Sequence, residues 1–487
     1  MVSAIDRQLL TLHNPGQLAA SANCLFLGRL FNLYFLTSTM EITNNLSAIV
    51  AAVTFAAVIG AILTERLHLT IAALLGALVL VFAHVMTLNQ AIDYISQSYA
   101  TLALFFGVMV MVRAFEPTNI FAYLGTQMVM LAKGEGKRLV LGVIAITTPI
   151  CAVLPNATTV MLLAPLIPPI AQEVGIDFVP LLILMVFVAN SAGLLTLVGD
   201  PATFIVGDAV NLSFNDYLAR LSLGGAIAVG AILVLAPFLF RSIWNKKLAD
   251  TRNLPQPKIN HPQILMWGGL LMAVVLTFFV IGESLPTPVP PAAVALLGAA
   301  IALLLADRSK IDSVNHILQD VDWSTLVFFM STFVLIGGLE KTGVLDSISG
   351  LLAVILGKNI ALGSLCLLVV VGLLSSIVPN IPLVVAMVPL LKQYLVNVGL
   401  VGAEILDPGF NGQLPPEVLP LFYAMMFGAT LGGNGTLMGA SSNIVAAGVA
   451  ELHGSKISFS RFLKYGIPVM GVQLAVAALY LAIAFIF

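Results

Sequence analysis

Charge is scarce in this chain: only 9% of its 487 residues are Asp, Glu, Lys or Arg, against about a quarter in an ordinary soluble protein. A water-soluble fold is thereby excluded, because a globular chain of this length needs far more polar surface to cover its domains. The 21 Lys and Arg are offset by 23 Asp and Glu, a formal net charge of −2. No basic excess is left to neutralise phosphates, which excludes nucleic acid as a partner. Cysteine is rarer still: Cys24, Cys151 and Cys366 show neither CxxC nor Cys/His spacing, so no disulfide framework or zinc site is implied. The six histidines fall in loops or near the ends of apolar runs. No metal or nucleophile constellation emerges, no cofactor is implied, and an enzyme is not expected. The chain also lacks GxxxxGK[ST], so ATP could act only through an accessory ATPase on a separate subunit.

What the chain has in abundance is apolar sequence: 59% of residues are hydrophobic and the mean hydropathy is +1.05. This composition needs a lipid bilayer as solvent. Crossing it takes about 20 mostly apolar residues, and unbroken stretches occur near 47–65, 69–87, 100–116, 221–241, 265–283, 291–306, 323–339 and 465–487. Two more, 179–211 and 419–452, are interrupted by Gly199-Asp200-Pro201 and by Gly432-Gly433-Asn434-Gly435 through Gly439-Ala440-Ser441. These are expected to be broken helices. The stretches 138–171 and 360–395 turn at Pro155-Asn156 and Pro379-Asn380 into segments too short to cross singly, and are expected to be re-entrant hairpins, tolerated only where protein or water covers the open backbone.

Basic residues set the orientation. With the loop holding Arg241, Lys246, Lys247, Arg252 and Lys258 in the cytoplasm, 14 Lys and Arg fall inside and only four, Arg220, Lys341, Lys358 and Lys392, outside. The first hairpin then opens inward and the second outward. A prokaryotic inner membrane is the expected location. Residues 1–46 are mixed, with Arg29 interrupting the apolar run Cys24–Leu36; they are read as a weak extra span or as sequence ahead of a translation start at Met40, the latter preferred.

The chain repeats itself. A shift of 224 positions matches Thr101-Leu102 to Thr325-Leu326, Phe105 to Phe329, Glu116 to Glu340, Pro155-Asn156 to Pro379-Asn380 and Pro165-Leu166 to Pro389-Leu390; a shift of 240 then matches Thr196-Leu197-Val198-Gly199 to Thr436-Leu437-Met438-Gly439. The expected fold is an all-α polytopic membrane protein of two repeats, residues 47–241 and 265–487, joined by a cytoplasmic linker, 242–264. Each repeat holds five transmembrane segments, one broken, plus a hairpin. An odd number of crossings turns the second repeat upside down, the inverted-repeat plan that secondary transporters use around a midplane site.

Broken helices expose N–H groups at one half-helix end and carbonyls at the other. Candidate ligands are therefore the residues at the interruptions: Asn156, Thr158 and Thr159 at the first hairpin tip; Thr196, Gly199 and Asp200 in the first break; Asn380 at the second tip; and Asn434, Thr436, Gly439, Ser441, Ser442 and Asn443 in the second break. Asp200 reads as an N-cap ahead of Pro201, yet an intramembrane carboxylate is also a candidate for a cation or a proton. A coupling sodium is expected near Asn156, Asp200 and Asn380. Arg113 is expected to pair with Glu116 or snorkel, and 211–220 and 454–464 to form interfacial helices.

At these residues the sequence resembles the ion transporter superfamily of divalent-anion:sodium symporters, arsenite permeases, the P protein, citrate transporters and one group of sodium/proton antiporters. The most specific stretch is Gly432 through Asn443, continuing through Gly448-Val449-Ala450-Glu451, which looks like the arsenite permease and P protein branch. Gly199-Asp200-Pro201-Ala202-Thr203 departs from that branch's Gly-Asp-Pro-Pro-Asn, and Pro155 stands where its hairpin carries Asp. The resemblance implies secondary transport of a small inorganic or organic anion or oxyanion, coupled to sodium or protons, by an elevator or rocking motion. It also implies that Asn156, Thr158 and Asn380 are ligands, and homodimers are common among the symporters. Arsenite or antimonite efflux and sodium/proton exchange stay open, with a membrane enzyme or scaffold the non-transport alternative.

Overall fold

The computed structural model describes residues 46–64, 67–248, 258–407, 410 and 412–486. Residues 1–45 of the N-terminal extension lie outside the described residues, as do 249–257 of the linker between the repeats. Among the described residues the chain is helical without strands, apart from an isolated bridge between Glu135 and Lys247. In the first half the helices are α1 (Leu46–Leu63), α2 (Leu69–Phe82), α3 (Leu88–Gln97), α4 (Tyr99–Phe115), α5 (Ile120–Ala132), α6 (Gly136–Cys151), α7 (Asn156–Leu163), α8 (Ile167–Glu173), α9 (Val179–Ala192), α10 (Pro201–Ala209), α11 (Phe214–Arg220) and α12 (Ser222–Leu239). The second half contains α13 (Pro262–Ile281), α14 (Pro291–Ser309), α15 (Val314–Gln319), α16 (Trp323–Lys341), α17 (Val344–Leu356), α18 (Ile360–Ser375), α19 (Asn380–Asn397), α20 (Leu419–Gly432), α21 (Ser441–Leu452) and α22 (Phe459–Leu481).

Both hairpins and both breaks fall where the Pro-Asn and Gly-rich signals put them. Pro155 and Pro379 stand just before α7 and α19 in extended backbone (φ −53° and −51°), because proline lacks the N–H that a continuous helix would need. Two expectations are corrected. The stretch 69–87 is not one long crossing: α2 ends at Phe82, the chain reverses through His84 at φ 58°, and Thr87 with Gln90 forms a capping box that starts α3. At 14 residues and 1.5 Å per residue, α2 is about 21 Å long, short of the ~30 Å hydrocarbon core. Nor is 454–464 a separate interfacial helix. Ser458 caps Arg461 N–H at 3.2 Å, and α22 runs from Phe459 to Leu481 with Pro468 accommodated inside it. Among the described residues, seven helices are long and apolar enough to span a bilayer.

The halves interlock. α4 packs on α14 and α2 on α16, so the second helix of each half lies against the fourth of the other. Phe105 and Phe329, equated by the 224 shift, meet edge-on at 6.0 Å. The half-helix α10 packs on the second hairpin through α19, and α21 packs on the first through α7. Glycine permits the closest approaches: a Cβ on Gly432 would sit 2.2 Å from the Gly372 carbonyl oxygen, and one on Gly107 2.6 Å from that of Ala295.

One rim carries a network joining the halves. Arg113 pairs with Glu116 and, at 2.6 Å, with Asp320. His316 Nδ1 lies 2.7 Å from Asp312 Oδ2, and Asn119 Nδ2 donates to the Lys258 carbonyl at 3.2 Å. Asp312, by hydrogen bond and charge, and Asp320, by charge, raise the His316 pKa above its ordinary 6.5.

Two tests follow from this packing. Gly432→Ala should lose about 1–3 kcal/mol by overpacking, whereas Gly230→Ala, with nothing within 4 Å of its Cβ, should leave thermal unfolding unchanged. A group with a raised folded pKa stabilises fully below its unfolded pKa and loses that contribution as pH rises through the folded value. Wild type should therefore melt above His316→Gln at about pH 5.5, and the two curves should converge above the raised value.

Candidate functional site

Each break is a short U of backbone closed by paired glycines. Gly193 faces Gly199, and Gly433 faces Gly439, both pairs related by the 240 shift; a Cβ on Gly199 would lie 2.7 Å from the Cys151 carbonyl oxygen, and one on Gly439 3.0 Å from that of Ser375. Each break thus sits on the first arm of its own hairpin. Threonine hydroxyls tie the two together: Thr196 donates to the Ala152 carbonyl at 2.5 Å, and Thr436 to the Ser376 carbonyl. These four residues, expected among the ligands, shape the loops, with both threonine hydroxyls donating to backbone.

The polar side chains then gather in two clusters, each linking a hairpin tip of one half to the break of the other. In the first, Asn156 Nδ2 donates to Asn190 Oδ1 at 3.2 Å. Asn190 Nδ2 donates to Asn434 Oδ1 at 3.0 Å and Asn443 Oδ1 at 3.1 Å, and Ser442 Oγ donates to Asn190 Oδ1 at 2.6 Å. Asn434 Nδ2 donates to Gln473 Oε1 at 2.8 Å, and Gln473 Nε2 to Ser191 Oγ at 2.7 Å. Every member is buried, as a satisfied polar network in a low-dielectric interior must be.

The second cluster contains a carboxylate. Asp200 is fully buried. It caps α10 by accepting from Ala202 N–H at 3.1 Å, accepts from Asn380 Nδ2 at 3.2 Å, and accepts from Thr430 Oγ at 3.0 Å. Thr430 stands where the 240 shift puts Asn190, so the clusters are counterparts: amide and hydroxyl groups in one, an acid in the other. No Lys or Arg makes an ion pair with Asp200 among the described residues, and its charge rests on hydrogen bonds alone.

Of the three residues expected near one sodium, Asp200 and Asn380 meet, while Asn156 joins the amide cluster and makes no hydrogen bond to either among the described residues. Thr159 is buried beside the Cys151 thiol, on the inner face of its hairpin. Thr158 and Ser441 are partly exposed and outside both hydrogen-bond networks. Asn190, Ser191, Thr430 and Gln473 escaped the sequence reading, which looked only at interruptions. The signal that would have found them is a polar residue on an otherwise apolar helix: Asn190-Ser191 ends a run of apolar residues from Val179, and Gln473 stands alone in the last span.

Proteins similar to this chain include transporters. The sequence profile described as "Citrate transporter" matches residues 40–406. The chain belongs to the citrate transporter family. It is 72% identical to an uncharacterized transporter of Synechocystis, over 90% of this chain and 98% of the relative, and 28% identical to the human P protein, over 89% of this chain and 60% of that one. Among solved structures it resembles the YdaH transporter of Alcanivorax borkumensis, with TM-score 0.54 and 13% identity over 81% of this chain and 86% of that one; that likeness concerns the fold. This member of the citrate transporter family is an integral, multi-pass membrane protein.

Asn190→Ala removes the hub of the amide cluster and leaves buried groups of Asn156, Asn434, Asn443 and Ser442 short of a partner. It should cost about 1–3 kcal/mol, read as a lowered thermal midpoint in detergent. Thr158→Val, outside the network, should leave that midpoint within about 0.5 kcal/mol of wild type, as substitutions away from such features do.

Proposed function

We propose that this protein is a secondary active transporter that moves a small anion, first among the candidates a carboxylate such as citrate, with a sodium ion or proton. The observation that carries the reading is the pairing of Asp200 with Asn380, a buried acid at the break of one half held by the hairpin tip of the other. An uncompensated intramembrane carboxylate binds a cation or takes up a proton. Such a cation, once present, gives an anion a counter-charge beside the N-terminal ends of α10 and α19, whose helix dipoles favour negative charge.

The exchanged packing of the halves, and the contact of Phe105 with its own repeat partner Phe329, support two units related by a pseudo-two-fold axis. The matches at shifts of 224 and 240 positions support the same two-unit plan. In such a frame the hairpins and broken helices move together against the long helices, presenting the clusters to each side of a prokaryotic inner membrane in turn. Sodium/proton exchange is the second reading, favoured by Asp200 itself: a lone carboxylate can carry the two cations alternately without any anion.

Purified protein in liposomes should accumulate radiolabelled citrate or another small carboxylate or oxyanion under an inward sodium or proton gradient. Asp200→Asn should reduce that uptake at least about tenfold, equivalent to ~1.4 kcal/mol or more, while keeping the wild-type elution volume. Uptake of no anion under either gradient would sink the proposal; a pH change on adding sodium, lost in Asp200→Asn, would establish exchange instead.

A further inference from the structure

A cavity of about 330 Å³ opens on the rim assigned to the exterior, away from both clusters. Its walls come from bodies that the proposed mechanism separates. From one side come Asp208, in the last turn of α10, and Lys392 of α19, on helices packed against each other. From the other comes Glu340, near the end of α16. Glycines let α16 pack closely on α3 and α2: a Cβ on Gly337 would strike the Tyr94 ring at 2.5 Å, and one on Gly338 would strike Leu80 at 2.5 Å. Asp346 adds a negative charge next to Glu340, in an adjoining cavity of about 170 Å³ that shares Glu340 and Lys392.

Lys392 is the cation among these carboxylates, and it interacts electrostatically with Asp208 and Glu340 at once. Neither is within ion-pair distance of it in the structure, so the ammonium shares the cavity with both acids, and with Asp407 of its wall, without a direct salt bridge to Asp208 or Glu340. Were it a surface ion pair, its worth would be about 0–1 kcal/mol. Here the charges line a recess with apolar walls, Phe333, Ile336 and Val385 among them, where attraction is less screened than in open water.

We infer that Lys392 is a positioning residue, a latch that holds the second hairpin against α16 by sharing its charge between Asp208, which travels with it, and Glu340, which does not. The inference rests on alternating access as proposed above. When the hairpin and α10 slide along α16, Lys392 keeps Asp208 and gives up Glu340. The Glu340 attraction therefore favours the arrangement seen here and sets how often the hairpin leaves it. The ligand-free energy difference between the two arrangements, not the affinity of the clusters, is what Lys392 controls.

The test reads conformation without any substrate. A single-cysteine form, with Cys24, Cys151 and Cys366 changed to Ala and Val388→Cys placed in the shared wall of the two cavities, is labelled in proteoliposomes with a membrane-impermeant maleimide. Lys392→Gln and Glu340→Gln should each change the labelling rate about threefold or more, in the same direction, and the double variant should do no more than either single, as expected for coupled neighbours. Asp208→Asn should shift the rate the opposite way, because it leaves the ammonium to Glu340 alone. The swap Lys392→Glu with Glu340→Lys should return toward wild type, and Lys392→Arg should match it. Additive singles, an unrescued swap, or Asp208→Asn acting in the same direction as Glu340→Gln would overturn the latch. Should a charge-removed variant elute as aggregate, Lys392→Arg and the swap still decide. A labelling failure with intact anion uptake removes the latch alone; coupled labelling without uptake removes only the transport reading.

Discussion

Irregular backbone inside a bilayer must find every hydrogen-bond partner within the protein, because lipid offers none. That requirement organises this molecule more than any other. Helices α9 and α20 stop at the two breaks, and the loops there survive because glycines let them lie directly on the hairpin arms. Threonine hydroxyls reach the carbonyls there, and Ser375 Oγ donates to the Ala429 carbonyl at 2.5 Å. Tyr217 and Ser222 do likewise for the carbonyls of Leu194 and Leu195. Only after this framework is satisfied can side chains such as Asn156 and Asn380 be presented across to the opposite half. The small residues and the buried hydroxyls are thus the condition for the clusters.

Within that framework the two halves share geometry and differ in chemistry. Asn190 and Thr430 occupy matching places, yet one is the hub of an amide network and the other donates to an acid. The acid has no counterpart in the second half, where Ala440 stands at the matching position. Symmetric scaffolding thus carries one unbalanced charge, held by the tip of the opposite half.

Much of this was legible in the sequence because punctuation in an apolar chain is sparse and therefore informative. Pro155-Asn156, Pro379-Asn380 and the Thr-Leu-x-Gly pairs located both hairpins and both breaks, and the family resemblance rested on the same residues. Asp200 stood out as a carboxylate where charge is expensive. What stayed hidden depended on distance in space. Asn190 and Gln473 interrupt no helix, so neither period nor breaker signals them, and their role appears only when residues 244 and 282 positions apart meet. The separation of Asn156 from Asp200 was equally unreadable, since hairpin tips cross to the opposite half. Helix length misled at 69–87, where the apolar run continues through a left-handed turn at His84 that hydropathy does not register.

The interlocked pairing of α2 with α16 and α4 with α14 has a consequence for biogenesis. Asn190 leaves the ribosome 244 residues ahead of Asn434, an interval of roughly ten to fifty seconds at ordinary synthesis rates. Throughout it, the nascent first half sits in the membrane with amides and an acid whose remaining partners lie in the unmade second half. Insertion of this protein is consequently a waiting problem, and the cell must shelter a half-built, polar-cored intermediate until its complement emerges.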